Sequence, residues 1–316
     1  MRKYVFKVCL IVGIPLIGAI LVNYLYMQTN FYKCLNATQK FYEVPDKIDI
    51  ASFGNSHAQQ GFDWSSYSDF SGMNMALGSQ TLMYDNAIFD YYYDYFENGS
   101  TIVIELSYRT LYEQELSAQE GGSKITRYYQ FLDQEHIYNS DTYMYYKYKY
   151  CPFFFSNTGT KVSGLKAIVD DIPYTMDTYP DKVTDLSEKE RIELGETRSN
   201  VFHKQIGEQK LGLQFDALKS IIDKCKKKDM NVILITMPTL PYFYNRFSDE
   251  FFQQFYQDVD NIVALYDKCY YIDYTGDSRF MNQYELYEDS DHLNSDGAKY
   301  FTDQFVNDIK KLGVWN

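Results

Sequence analysis

Two short, nearly continuous apolar runs constrain this chain more than any other feature in it. They lie at 101–106 and 230–236, built on Ile102-Val103-Ile104 and Val232-Ile233-Leu234-Ile235, and a short strand ending in Gly54 is read at 47–53. A run with no polar side has to be covered on both faces, which is the setting of a strand in a parallel sheet; a half-exposed strand would alternate. Further strands are expected at 72–77 and 269–274, and helices at 81–96, 208–228, 248–266 and 294–312. Asn98-Gly99 closes the first helix. Ser248 caps the third, ahead of Asp249 and Glu250, and Asn294 or Ser295 starts the last, which Gly313 stops. Strands alternating with helices predict an α/β fold, a doubly wound parallel sheet flanked by helices in three layers. Right-handed crossovers then bring the strand ends, and any site, to one edge of the sheet.

The N-terminus adds a separate constraint. Residues 8–26 are apolar apart from Asn23, with breaks at Gly13, Pro15 and Gly18. At about 1.5 Å per residue in a helix, such a stretch matches a hydrocarbon core of about 30 Å. The residues from Asn23 to Met27 lack the small side chains of a cleavage site, so an uncleaved anchor is expected. Arg2, Lys3 and Lys7 precede the span and predict a cytoplasmic N-terminus, with the body of the chain outside the cell. The expected organisation is a cytoplasmic tip and transmembrane anchor at 1–27, a linker at 28–46, and one domain at 47–316. Within that domain the helix–strand pattern dissolves between 110 and 205. This stretch is rich in tyrosine (Tyr143-Met144-Tyr145-Tyr146-Lys147-Tyr148) and reads as an insertion packed over the sheet edge. Its tyrosines are expected to fill a core or cover that edge; the rival use is stacking on sugar rings.

A net charge of −13 repels phosphate backbones and excludes nucleic acid as a partner. Cys9, Cys34, Cys151, Cys225 and Cys269 show neither C-x-x-C pairing nor zinc-like spacing, so they read as small hydrophobes without a disulfide.

Two segments carry chemistry. Gly54-Asn55-Ser56-His57 directly follows the strand expected at 47–53, and a serine at a strand-to-helix turn can expose its hydroxyl above the sheet edge beside backbone N–H groups. Ala58 stands where an α/β-hydrolase elbow would have its second glycine, which argues against that elbow. The second segment is Asp289-Ser290-Asp291-His292-Leu293-Asn294, just ahead of the last helix. An acid three residues before a histidine lets its carboxylate meet one ring nitrogen and leaves the other for a hydroxyl. Spacing favours Asp289 over Asp291 as that acid. A calcium loop starting at Asp289 would need an acid or amide at Leu293 and a glycine at Asn294, and it has neither. No metal and no cofactor is expected. His136 and His203 read as surface residues.

Gly54-Asn55-Ser56-His57 and Asp289-x-x-His292-Leu293-Asn294-x-x-Gly297-Ala298 resemble blocks I and V of the SGNH (GDSL-like) hydrolase superfamily. Ala76-Leu77-Gly78-Ser79 resembles block II. The likeness is nearest to membrane-anchored members that serve cell-surface polymer acylation, the DltD and AlgX/AlgJ groups. The resemblance implies a flavodoxin-like sheet, a catalytic triad of Ser56, His292 and Asp289, and an oxyanion hole built from the backbone of Ser56 and Gly78. Block III often carries Gly-x-Asn, whereas this chain has Glu105-Leu106-Ser107-Tyr108-Arg109, so the third oxyanion donor falls to Ser107 or Arg109. Asn55 replaces the aspartate common in block I; with His57 and Arg109 it is an expected substrate contact.

The resemblance also implies a function and partners. A serine acyltransferase held at the membrane would take its acyl group from a multi-span membrane O-acyltransferase and pass it to an extracellular polysaccharide or a teichoic-acid-like polymer. The anchor favours this over the alternative, an extracytoplasmic carbohydrate esterase or lipase-like hydrolase, because a soluble ester does not need an enzyme tethered at the bilayer. The departure at block III supports a third reading, a surface-binding module without catalysis.

Overall fold

The computed structural model describes residues 2–113, 125–170, 183–206 and 208–315. The parts of the insertion at 114–124 and 171–182, and the side chains of Arg2, Lys3, Val5, Val8 and Cys9, lie outside the described residues. Helix α1 (Arg2–Gln28) and the short α2 (Asn30–Cys34) come first. Strand β1 (Ile48–Phe53), α3 (Ser56–Gly61), β2 (Gly72–Asn74), α4 (Leu82–Tyr91) and β3 (Phe96–Glu105) follow. Next are α5 (Thr142–Tyr150), α6 (Pro152–Phe155), α7 (Thr158–Asp170) and α8 (Glu188–Ile206). Helix α9 (Leu213–Lys227), β4 (Asn231–Thr236), α10 (Pro241–Tyr244), α11 (Asp249–Val263), β5 (Cys269–Asp273) and α12 (Ser295–Lys311) follow among the described residues. They fall into two units, Val44–Lys124 with Thr178–Asn316, and Met1–Glu43 with Ile125–Asp177.

In the larger unit, five strands pair in parallel in the order β2-β1-β3-β4-β5. Register runs straight across the middle: Ala51 lies beside Ile102, and Ile102 beside Val232. Ile102, Val103, Ile104, Ile233 and Leu234 are fully buried, as strands covered on both faces must be. Helix α4 packs on α9, and α3 packs on α12. The crossover from β1 out to β2 runs one way and those from β2 to β3 and β3 to β4 run the other, so right-handed connections put α3 on the opposite face from α4 and α9. An aromatic cluster fills the α3/α12 side. Phe301 has ring neighbours Tyr274 at 4.9 Å, Phe62 at 5.3 Å, Phe280 at 5.7 Å and Phe305 at 6.2 Å.

The expected elements are present with shifted ends. The helix placed at 81–96 stops at Tyr91, because residues 93–95 tighten into a 3₁₀ turn and Phe96 already pairs with Ile48. Asn98-Gly99, expected to close that helix, lies inside β3, where Gly99 adopts φ +87° at a shift in register. Caps fall where expected: the Ser248 side chain accepts from the Phe251 N–H, and Gly313 takes φ +69° after α12.

Two parts of the expected organisation differ. Residues 28–46 are not a plain linker, since α2 and the 3₁₀ turns Leu35–Ala37 and Gln39–Tyr42 occupy them. The stretch 110–205 is not one insertion. Its α5, α6 and α7 belong with α1 and α2, where Phe153 and Ala167 bury against Tyr26, Phe31 and Tyr32. Its α8 belongs to the sheet unit, with Gly195 fitted closely against Tyr242 of α10.

Within α1, the segment Leu10–Gln28 has a mean hydropathy of 2.0 and is long and apolar enough to cross a membrane.

Phe301→Ala should lower the unfolding free energy by about 3–5 kcal/mol, the range for emptying an aromatic core position. Lys299→Ala, exposed on the same helix, should stay within about 0.5 kcal/mol. Chemical denaturation of the detergent-solubilised chain distinguishes the two.

Candidate active site

Connections leave the carboxyl ends of β1 and β3 in opposite directions, which opens a crevice between these neighbouring strands, the place where open α/β sheets hold ligands. Gly54 ends β1 there with φ +135°. A Cβ at this position would lie 2.6 Å from Glu105 Cβ and 3.1 Å from Ala58 Cβ, so only glycine lets the chain turn against β3. Asn55 then caps α3, its Oδ1 accepting from the His57 N–H at 2.9 Å. The Asn55 amide donates across the crevice to Ser107 Oγ at 3.0 Å. Ser56 is thereby the first residue of α3, and it is partly exposed while Asn55 and His57 beside it are buried.

A loop ahead of α12 brings the histidine. Asp289 Oδ1 accepts from the backbone N–H groups of Asp291 (2.9 Å) and His292 (2.8 Å), which folds four residues into a tight turn. In that turn His292 Nδ1 lies 2.9 Å from Asp289 Oδ2. Asn294 closes the loop by capping α12, with Oδ1 accepting from Asp296 and Gly297 N–H, and its amide donating to the Glu285 carbonyl at 2.7 Å. The free ring nitrogen, His292 Nε2, lies 2.8 Å from Ser56 Oγ. Asp289 and His292 are almost fully buried, and with the Nδ1 proton donated to Asp289, Nε2 is left to accept the serine proton.

One residue along each strand of this contact lies a second brace. His57 Nε2 is 3.0 Å from Asp291 Oδ2, and the Arg198 guanidinium from α8 donates to both Asp291 oxygens at 2.9 and 2.8 Å. Glu105, fully buried at the end of β3, lies 3.6 Å from His57 Nδ1. The two histidine rings meet edge to face with centroids 4.9 Å apart. Burial opposes a charge on His57, but the hydrogen bonds and fields of Asp291 and Glu105 outweigh it and lift the ring to about 9. Burial also opposes the charge on Asp291, yet His292, His57 and Arg198 hold its carboxyl well below the usual range. Behind Gly54, burial and then the charge of Glu105 push Asp85 up to about 7, against the lowering bonds from Gln80 and the Gly54 N–H.

The structure thus brings Ser56, His292 and Asp289 into one chain of contacts. Gly78 sits beside α3, where a Cβ would come 3.3 Å from Gln59 Oε1. Other candidates turn inward. Ser107 is buried, and its hydroxyl accepts from Asn55 and shares a 2.6 Å bond with Thr110 Oγ1. Arg109 is buried over the Phe202 ring at 5.2 Å and donates to Gln205 at 2.8 Å. Asn55 and His57 are held by the cap and the ion chain, so Asn55, His57 and Arg109 are supports for the crevice rather than groups at its mouth. Arg198 and Glu105 were not foreseen as site residues. A charged residue ending an otherwise apolar strand was the available signal for Glu105; Arg198 had none. Ligand atoms of His57, Asp291 and His292 lie within 4.8 Å of one another, but the guanidinium already on Asp291 and the serine on His292 make this an ion-pair cluster. Asp133, Glu135 and His136 form a second such group on a more open turn. Neither the protein-family models nor the curated proteins compared with this chain match it.

Because His57 titrates higher in the fold than the ordinary imidazole value of about 6.5, the stability it contributes is complete below that pH and is lost as pH rises toward about 9. Asp85, raised to about 7, loses its contribution earlier, between its ordinary range and neutrality. The His57 contribution, read as the unfolding free energy of the native chain less that of His57→Gln, should therefore shrink from pH 7 to 9 when denaturant titrations are run across the interval.

Proposed function

We propose that this chain is a membrane-anchored serine acyltransferase that O-acylates an extracellular polysaccharide or cell-wall polymer. The observation that carries the reading is the unbroken relay from Ser56 Oγ through the His292 ring to the Asp289 carboxylate. The crevice location and the resemblance of the two motifs to SGNH-type hydrolases support it. The span at Leu10–Gln28, with basic residues ahead of it, supports a catalytic unit outside the cell.

The chemistry follows from the geometry. Ser56 Oγ attacks the acyl carbonyl while its proton passes to His292 Nε2, and the carbonyl electrons move onto oxygen. Asp289 keeps the ring oriented and offsets the positive charge that develops on it. The resemblance assigns the oxyanion to the backbone N–H groups of Ser56 and Gly78, and each such donor typically contributes about 2.7–4 kcal/mol. Collapse expels the donor's oxygen, which takes the proton from His292 and leaves the acyl group on Ser56. A sugar hydroxyl then gives its proton to His292 and attacks the acyl-enzyme; collapse expels Ser56 Oγ, which takes that proton back from His292 as the new ester leaves. A multi-span O-acyltransferase in the same membrane is the proposed acyl supplier.

Ser56→Ala should abolish labelling by a fluorophosphonate probe and lower acyl transfer by about a million-fold. Asp289→Asn should lower it about ten-thousand-fold with the structure intact. An unlabelled native Ser56 would overturn the enzymatic reading. Product analysis with an activated acyl donor and a polysaccharide acceptor should show acylated sugar; free acid alone would make the protein an esterase.

A further inference from the structure

The smaller unit turns apolar side chains outward in an ordered way. On α5, Tyr143, Tyr146 and Tyr150 are exposed by 68%, 57% and 52%. On α7, Val162, Leu165 and Val169 are exposed by 50%, 47% and 80%. Both sets follow the spacing i, i+3, i+7, which places each on one helical face. A helix on a water-facing surface shows its polar side outward; on α7 the side turned inward instead carries Gly164 and Ala167. Between the two helices, Phe154 and Phe155 of α6 are exposed as well.

The helices α6 and α7 that carry it pack on the apolar helix α1. Tyr26 is fully buried among Tyr32, Phe153 and Phe31, with centroids at 4.9, 5.4 and 6.4 Å. Gly164 allows α7 to lie against that ring, since a Cβ there would come within 2.7 Å of Tyr26 Cδ2. Asn23, the one amide within the apolar stretch, donates to the Tyr150 carbonyl at 2.8 Å and accepts from the Phe153 N–H at 3.2 Å. An amide at membrane depth has to be satisfied within the protein, and here the partners come from the α5–α6 junction. That junction therefore sits at the level of the end of the span. The charge agrees: in a chain of net charge −13, residues 142–170 carry Lys147, Lys149, Lys161 and Lys166 against Asp170 alone. Lys147 lies over the rings of Tyr148 and Phe155 at 4.7 and 4.9 Å, the arrangement of a basic residue at an aromatic interface belt.

We propose that α5, α6 and α7 form an interfacial platform, with their outward apolar stripes immersed among the acyl chains of the bilayer and Lys147, Lys161 and Lys166 among anionic headgroups. The platform rests on α1 as a membrane span and is independent of the chemistry at Ser56. It converts a single-helix tether into a seat held at several points.

The test uses the full-length chain reconstituted in phosphatidylcholine–phosphatidylglycerol vesicles whose acyl chains carry bromine, a contact quencher of tryptophan. Phe155→Trp and Leu165→Trp place reporters on α6 and α7, and Tyr24→Trp reports on the span; Trp64 and Trp315 are the common background in the unsubstituted chain. Both platform reporters are expected to be quenched by brominated lipid to a similar extent as Tyr24→Trp, with blue-shifted emission. Quenching of Tyr24→Trp alone would overturn the platform and leave the anchor standing, as would be found if a second copy or another protein covered this face. No quenching at any of the three positions would remove the anchor and the platform together.

Discussion

The site depends on how closely β1 approaches β3 at the point where their connections part. Gly54 lies against Glu105 with no room for a side chain, and its backbone turns through φ +135° to start α3 at once. That turn puts Ser56 at the helix start over the crevice, and the Asn55 cap with its bond to Ser107 ties the first residue of the helix to the end of β3. A larger residue at 54 would push the two strand ends apart and move the hydroxyl away from the ring that meets it.

The relay itself is short, and it is held by a parallel brace. His57 follows Ser56 and Asp291 precedes His292, so the bond between them spans the same gap one residue over. Arg198 fixes the far side of Asp291 and Glu105 faces the other nitrogen of His57, giving charges that alternate along a buried line. Removing ions from water carries a penalty of several kcal/mol each, so such a line survives only where each charge meets its opposite. What it provides is position: the separation of serine and histidine does not depend on their own hydrogen bond, which has to break and reform in any acyl transfer.

A different economy operates in the smaller unit. Tyrosines and phenylalanines that would make a core elsewhere are divided there between a small buried cluster around Tyr26 and an outward apolar face. With one helix among the described residues long and apolar enough to span a bilayer, that division makes sense when lipid is one of the solvents.

The sheet was legible because buried parallel strands leave uninterrupted apolar runs and their helices leave caps, both local signals. Ser56 and the Asp289–His292 pair were legible because a turn glycine and a three-residue spacing are local too. Residues 110–205 were not, since helices whose apolar faces point outward, or whose anchoring contacts come from α1 and α10, lack the contrast between sides that periodicity detects. The chain by itself thus determined a parallel α/β unit behind an apolar N-terminal helix. Only tertiary structure decided that a hydroxyl at 56 meets an imidazole at 292, that Arg198 from an unpatterned stretch locks Asp291, and that 125–170 joins the N-terminus. Each of these is a contact between residues more than ninety positions apart, and such contacts depend on the order and handedness of the strand connections rather than on neighbouring residues.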